Sequence, residues 1–463
     1  MAVVRYLGSV VCKAPSYKTA LRHPSENIII NTFQPANVTF RISCDRKPIN
    51  IKLNPPIRDL LDLAIAVYIS DEHVKRASSD DRWSRNFYFI FPVDNPKSWK
   101  TNENLLKKML HFLSGDYFSF DWEKSISYPP RQRHRARLPN KFDTVCLFSG
   151  GIDSLLGAYQ LLRQRRKVIL VGHQADSIAA STQWELAQLL KNRFPGQVVL
   201  AQCRVARSLT ANPRYPLPEK VEHSHRPRSF LFLCLAFAMA SHSRIDSVMI
   251  PENGLIALNI PLQLSRVGTL STRTAHPAYL DLILQTVQKL TGYRGELKNP
   301  FLYQSKTDML KRLDPEILEL LKKTVSCAHP DVFRWAQARG KKHCGYCVPC
   351  IYRRLAIAET TLDQSRDYVV DPFVQFLDLS ATKRADLYAL TQFAKRVIKA
   401  TKAERQTMIL EHGAFPADIG KRIGLKSVTD YSEWADMIFR WADDFIKKAT
   451  TWSPKNTKRL LGI

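Results

Sequence analysis

The stretch Leu147-Phe148-Ser149-Gly150-Gly151-Ile152-Asp153-Ser154 constrains this chain more than any other part of it. Phe142 to Phe148 is an apolar run that reads as a strand, and Ser154 to Arg165 reads as a helix. Two glycines and two serines therefore fall where a strand turns into a helix. At such a turn the first helical N–H groups lack intrahelical partners and the positive end of the helix faces outward, which favours an anion. Gly150 and Gly151 let the backbone approach phosphate oxygens without a Cβ in the way. Ser149 and Ser154 offer hydroxyl donors, and Asp153 can cap the helix or help hold Mg²⁺ near phosphates. The Walker spacing G-x-x-x-x-G-K-[ST] is absent here. Gly420-Lys421 does not supply it, because Phe415 stands where the first glycine belongs and Arg422 follows the lysine.

Strands and helices alternate around this turn. Lys167 to Val171, Gln197 to Val205 and Asp246 to Ile250 read as further strands, with Ser181 to Phe194 and Ser229 to Ser241 as helices between them. Alternation of this kind predicts an α/β fold with a parallel sheet over residues 139–325. Residues 1–138 mix strands (27–30, 38–42, 86–92) with helices (57–68, 105–113) and read as an α+β extension without a chemical motif. The basic connector Arg131, Arg133, His134, Arg135 and Arg137 follows Pro129-Pro130 and reads as a boundary. Residues 357–463 read helical: Leu387, Leu390, Phe393, Ala394, Val397 and Ile398 keep helical spacing, as do Trp434, Ile438, Trp441 and Phe445.

Between these regions, over 326–356, lie four crowded cysteines. Cys344, Cys347 and Cys350 form two C-x-x-C steps sharing one cysteine, and Cys327 lies upstream. Four thiolates suit a closed tetrahedral Zn²⁺ site; an iron–sulfur cluster and unmetallated redox cysteines are the alternatives. Nearby cations (Lys341, Lys342, Arg353, Arg354) would offset the thiolate charge, and His329 and His343 are substitute ligands of lower standing. Cys146, Cys203 and Cys234 lie in apolar runs and read as core; Cys12 and Cys44 carry no nucleophile context.

The formal charge of +27 favours an anionic partner, with nucleic acid among the choices it admits. The longest apolar run, Phe230 to Ala240, is too short to span a bilayer, and the N-terminus makes a poor signal peptide. Nine cysteines in this pattern do not form a secreted disulfide framework. A cytoplasmic protein without a membrane partner is the expectation.

Ser149 through Ser154 resembles the signature of the PP-loop ATP pyrophosphatases. With the four cysteines, the chain is similar within that family to the QueC-like 7-cyano-7-deazaguanine synthases. Three further stretches match in order: Arg226-Pro227-Arg228-Ser229-Phe230-Leu231, then Asn299-Pro300-Phe301 with Gln304-Ser305-Lys306-Thr307-Asp308-Met309, then Cys327 through Cys350. The similarity spans roughly residues 142 to 356. It implies a parallel-sheet PP-loop (HUP-like) nucleotide-binding domain that adenylates a carboxylate, with ATP split to AMP and pyrophosphate and an amine displacing AMP. The substrate so implied is a 7-carboxy-7-deazaguanine-type molecule, and the cofactors are ATP, Mg²⁺ and Zn²⁺.

The departures also carry meaning. About 140 N-terminal and 100 C-terminal residues exceed the housekeeping enzyme. Sixteen residues separate Cys327 from Cys344, Ser229 replaces the usual asparagine, and both Glu252-Asn253-Gly254 and 271–277 differ. In these respects the chain resembles the longer QueC-like proteins of bacterial anti-phage defence islands, those of the Qat system in particular. The resemblance then implies protein partners from the same operon, with either ammonia or a partner-protein amine as acceptor.

On this footing Ser149, Gly150, Gly151, Asp153 and Ser154 hold the ATP phosphates, with Ser149, Asp153 and Lys306 as the catalytic set. His173, at the end of the second strand, lies beside the nucleotide. Arg226, Arg228, Arg273 and Lys306 are candidates for carboxylate or phosphate, and Glu252 and Asn253 for a guanine-like edge. His276 before Pro277 reads as a structural turn residue. Cys327, Cys344, Cys347 and Cys350 are the metal ligands. Two other functions stay open: a PP-loop tRNA- or DNA-base-modifying enzyme, and a non-catalytic scaffold for nucleic acid or a protein partner.

Overall fold

The computed structural model describes residues 7–12, 27–31, 36–49, 51–125, 142–208, 217, 219–222, 224–259, 273–311, 313–329, 332, 343–358, 360, 362, 365–411 and 431–463. The basic connector, Ser271, Thr272, Lys341, Lys342 and Gly420-Lys421 lie outside the described residues.

The N-terminal region supplies β1 (Leu7–Cys12), β2 (Asn27–Asn31), β3 (Val38–Cys44), β4 (Lys47–Pro48), α1 (Pro55–His73), β5 (Asn86–Val93), α2 (Pro96–Ser114) and β6 (Tyr117–Lys124). Pro55 and Pro56 fill the first positions of α1, where a missing N–H costs nothing. Asn95 caps α2 by accepting from the Ser98 N–H, and left-handed Gly115 ends it. β2, β1, β5 and β6 form a four-stranded sheet in that order, antiparallel except for the β5–β6 pair.

The other N-terminal strands go elsewhere. β3 pairs antiparallel with β9 (Val198–Arg207) over seven residues, from Val38 opposite Arg207 to Cys44 opposite Ala201. The main sheet thus has seven strands in the order β11-β10-β7-β8-β9-β3-β4, with β7 at Thr144–Leu147, β8 at Val168–His173, β10 at Ser247–Met249 and β11 at Glu296–Lys298. Its five strands from β11 to β9 are parallel, and the β9–β3 and β3–β4 pairings are antiparallel, which makes an α/β fold on a mainly parallel, mixed sheet.

The parallel strands are buried on both faces, which is why they read as unbroken apolar runs. Alternate side chains enter two different cores. Cys146, Leu170 and Leu200 pack under α3 (Ile152–Arg163) and α4 (Ser177–Arg193). Val145, Ile169, Val171 and Val199 pack on the opposite side, with the Phe230, Leu233 and Phe237 side chains of α5 (Arg228–Ser243) and with α1. Each fully buried side chain of this kind contributes about 1.5–3 kcal/mol.

The chain order along the sheet reverses at β7: β8 and β9 follow on one side and β10 on the other. Ligands of such sheets bind in the crevice at the carboxyl ends of the strands, at that reversal. α6 (Gly254–Leu258) reaches the crevice through Ile256, α7 (Pro277–Thr291) packs on α2, and α8 (Lys306–Leu310) reaches the crevice through Lys306. α9 (Pro315–Leu321) joins the core under α3, and α10 (Val348–Ile357) reaches the crevice through Pro349 and Tyr352.

The C-terminal region is helical, with α11 (Ala381–Lys399), α12 (Lys402–Glu411), α13 (Ser432–Trp452) and α14 (Lys455–Leu461). Trp434, Ile438, Trp441 and Phe445 are buried, as are Leu387, Leu390, Phe393, Ala394 and Val397; Ile398 is 37% exposed and marks the edge of that stripe. The Trp434 indole donates to the Leu302 carbonyl at 3.0 Å, and Tyr352 of α10 meets Trp441 edge-on, so these helices buttress the elements that carry the crevice. Among the described residues, no helix is long and apolar enough to cross a membrane.

Candidate functional site

A cavity of about 430 Å³ opens at the carboxyl ends of β7 and β8. Its floor is the loop between β7 and α3. Gly150 has φ 86°, and a Cβ there would lie 2.9 Å from the Thr182 methyl, so glycine is required on two grounds. The Ser154 hydroxyl accepts from the Gly150 N–H at 3.2 Å and donates to the Gly151 carbonyl at 3.1 Å. Ser149 Oγ lies 3.2 Å from Ser154 Oγ and accepts from the Gly151 N–H at 3.3 Å. Two hydroxyls and the N-terminus of a twelve-residue helix thus converge on one wall. Asp176 caps α4 on the adjoining wall by accepting from the Ala179 N–H at 2.7 Å.

Beside the loop lies a compact charged group. Asp153 is buried and forms an ion pair with buried Lys306. Its second oxygen accepts from the Asn253 backbone at 3.1 Å and from the Asn253 side chain at 2.6 Å. Burial alone would raise the Asp153 carboxyl, but Lys306 and Asn253 outweigh it and hold it below its usual range. Glu252 shifts the other way: burial and the neighbouring Asp153 charge push its carboxyl well up, which favours the protonated form. Two carboxyls driven in opposite directions beside a cation in a cleft mark this group as a functional-site candidate.

His173 lines the opposite wall, edge-on to Tyr68 and near Phe232. Burial, then the charge of Arg228, lowers its pKa to about 3, so the imidazole is neutral, and neither ring nitrogen has a hydrogen-bond partner among the described residues. Arg228, at the start of α5, also lines the cavity, its guanidinium 5.3 Å from the Phe232 ring centre.

Of the residues expected from the sequence, the cavity wall brings together Ser149, Gly151, Asp153, Ser154, His173, Arg228, Glu252, Lys306 and Cys327. Gly150 lies beneath it. Three others stand elsewhere. Asn253 is fully buried, holding Asp153 and capping α6 through the Ile256 N–H at 3.2 Å, so its amide has no face for a ligand. Arg226 lies 3.7 Å over the Trp83 ring and donates to the Ser114 carbonyl at 3.0 Å. Burial, then Arg76, lowers its pKa to about 9. Arg273 donates to the Phe112 carbonyl at 2.8 Å and packs on that ring. Both arginines tie the N-terminal region to the sheet domain. His276 caps α7 by accepting from the Ala278 N–H at 3.1 Å, as its turn position suggests. The sequence reading missed Thr182, Gln183, Ser326 and Tyr352, which complete the wall. Only Ser326, next to a cysteine ligand, carried a local signal.

The four cysteines come together, their sulfurs all within 4.8 Å of one another. A tetrahedral Zn²⁺ with bonds near 2.3 Å places its sulfurs about 3.8 Å apart. The Cys344–Cys350 sulfur separation is 3.8 Å. The cluster is consistent with a zinc site, and its compactness suits one ion better than a cluster whose thiolates sit on different irons. Neither histidine belongs to it: His329 stacks on Tyr346 and His343 lies against Tyr368.

Gly345 turns the chain between Cys344 and Cys347 with φ 92°, and a Cβ there would meet the Val370 carbonyl at 1.9 Å. That carbonyl cannot retreat, because the Val370 N–H donates to Cys344 at 3.2 Å. Gly345→Ala is expected to destabilise the protein by about 3 kcal/mol and to lower bound zinc, as read by urea denaturation and metal analysis.

No family model, curated protein or solved structure matches the chain.

Proposed function

We propose that the protein is a QueC-like, PP-loop ATP-dependent ligase. It adenylates the carboxylate of a 7-carboxy-7-deazaguanine-type molecule for attack by an amine, either ammonia or an amine of a partner protein, in an anti-phage defence setting. The observation that carries this reading is the single cavity that joins the Ser149–Ser154 loop to Lys306, Glu252 and Arg228.

In this reading the Ser149 and Ser154 hydroxyls and the positive N-terminal end of α3 face the phosphates, and Lys306 neutralises phosphate charge. The Gly150, Gly151 and Ile152 N–H groups are held by Ser154, Ser149 and Ser326, which keeps the loop in shape. Arg228 holds the substrate carboxylate beside the α-phosphate. A carboxylate oxygen forms a bond to the α-phosphorus while the bond to the bridging oxygen breaks, and pyrophosphate leaves with that electron pair. The amine nitrogen then bonds to the activated carbonyl carbon, AMP leaves, and the amine loses a proton. Asp153 is the residue that would hold Mg²⁺, which offsets phosphate charge when bound, while Glu252, whose buried carboxyl favours the protonated form, would face a guanine-like edge rather than a metal. Neutral His173 suits hydrogen bonding to a nucleobase edge rather than an ion pair.

The formal charge of +27 favours a second reading, in which the same loop activates a base in tRNA or DNA. Mass spectrometry of the protein with Mg·ATP, 7-carboxy-7-deazaguanine and ammonia or operon partners separates the two. AMP with a modified base, or with a mass-shifted partner, is expected. Intact ATP in every mixture would remove the deazaguanine reading, and ATP cleavage that starts only with added polynucleotide would establish the alternative.

A further inference from the structure

The cysteine centre and the phosphate loop are separate in sequence but touch through one short segment. Its upstream end is fixed by buried Arg353 of α10, which donates to Thr324 Oγ1 at 2.5 Å and to the Leu321 carbonyl at 3.1 Å. The next three residues each make a different attachment. The Val325 N–H donates to the Gly150 carbonyl at 3.1 Å. Ser326 Oγ accepts from the N–H of Ile152, the first residue of α3, at 3.5 Å. Cys327 Sγ joins the cysteine cluster and accepts from the Cys344 and His329 N–H groups, each at 3.3 Å. Val325, Ser326, Cys327 and Ala328 all line the cavity, as does Pro349 from the far side of the cluster.

We propose that the four-cysteine centre holds the phosphate loop in its anion-binding shape through residues 325–327, with Ser326 as the positioning residue, so that metal and nucleotide each strengthen the binding of the other. This rests on the reading of the loop as a nucleotide site. A metal bound by Cys327 fixes the residue next to Ser326 and two from Val325. Without it the segment keeps its upstream anchor at Thr324, but the Val325–Gly150 and Ser326–Ile152 hydrogen bonds are braced from the Cys327 side only by the hydrogen bonds to that sulfur. The loop then has more conformations to give up when nucleotide binds, which weakens binding. Coupling of this kind is reciprocal in affinity, so nucleotide tightens metal binding by the same factor, and holding Cys327 in the cluster expresses this as slower metal loss.

The test uses the full-length protein and α,β-methylene-ATP, whose bridge is not cleaved. Calorimetry compares zinc-loaded wild type, zinc-depleted wild type, Ser326→Ala and Ser326→Thr, with zinc content measured in each. Zinc transfer to a chelating dye is timed with and without the nucleotide. Depletion is expected to weaken nucleotide binding about tenfold, and Ser326→Ala roughly fivefold with its zinc retained. Ser326→Thr should restore binding, and nucleotide should slow zinc transfer about tenfold. If Ser326→Ala binds as wild type and nucleotide leaves zinc transfer unchanged, the coupling is wrong while the phosphate-loop reading survives. If zinc-loaded wild type binds no nucleotide, the loop reading fails and takes the coupling with it.

Discussion

Asp153→Asn is expected to reduce pyrophosphate release from ATP to background, and Ser149→Ala to lower it by about a hundredfold or more. Asp153 holds three partners at once: Lys306 on one oxygen and the Asn253 backbone and side chain on the other. Asparagine keeps the shape but removes the charge that sets the Lys306 ammonium in place. Loss of one partner from a buried ion pair typically costs about 3–5 kcal/mol, because the other charge is left uncompensated. Reduced activity alone would therefore not separate chemistry from stability. The double variant Asp153→Asn/Lys306→Met removes both charges, and its melting temperature should recover toward wild type while pyrophosphate release stays at background. Coupled-assay rates and thermal melts check both arms. Wild-type rates in Asp153→Asn and Ser149→Ala would overturn the phosphate-loop assignment, whatever the melts show.

The parts of this site that were legible in the sequence are those whose chemistry is contiguous. Ser149 to Ser154 spans six neighbouring positions, and Cys344 to Cys350 spans seven. Each motif carries its own geometry, a strand-to-helix turn in one and a tight glycine turn in the other. The parallel strands were legible because burial on both faces leaves no polar alternation to confuse them. What the sequence concealed is orientation and distant pairing. Arg226 and Arg228 are two residues apart at a helix start, yet only Arg228 faces the cavity, while Arg226 lies over Trp83. Glu252 and Asn253 are adjacent, yet one lines the wall and the other is fully buried behind it. Nothing in the local pattern sets such directions; they follow from packing against α2 and α3. The union of β3 with β9 joins residues some 160 positions apart, and no local periodicity encodes it. β6 escaped notice because Asp121, Glu123 and Lys124 end it in charge, as suits an exposed edge.

Cys347→Ser is expected to abolish stoichiometric zinc binding and to lower the melting temperature by roughly 10 °C. Serine is nearly isosteric, so the change removes a ligand without opening a large cavity. Its hydroxyl stays neutral at neutral pH and does not replace a thiolate. The remaining cysteines would then lie close together in a buried pocket with no cation to offset ionised thiolates, and protonated thiols make poor ligands. The loss does not stay local. Cys347 is the residue before α10, and Cys350 lies in the first turn of that helix. α10 also carries Ile351, Tyr352, Arg353 and Leu355, all buried, with Tyr352 against Trp441 of α13 and Arg353 holding Thr324. Fraying α10 from its first turn therefore loosens both the C-terminal helices and the cavity wall. Structural zinc contributes folding free energy directly, so chelation of the wild type should reproduce the variant's melt, and added zinc should restore the wild type but not the variant. Metal analysis and paired melts with and without chelator provide the check. Full zinc stoichiometry in Cys347→Ser would remove Cys347 from the ligand set. A melt unchanged by chelation, with zinc demonstrably gone, would show that the cluster bears no structural load, and the buttress built through α10 would have to be explained by its apolar packing alone.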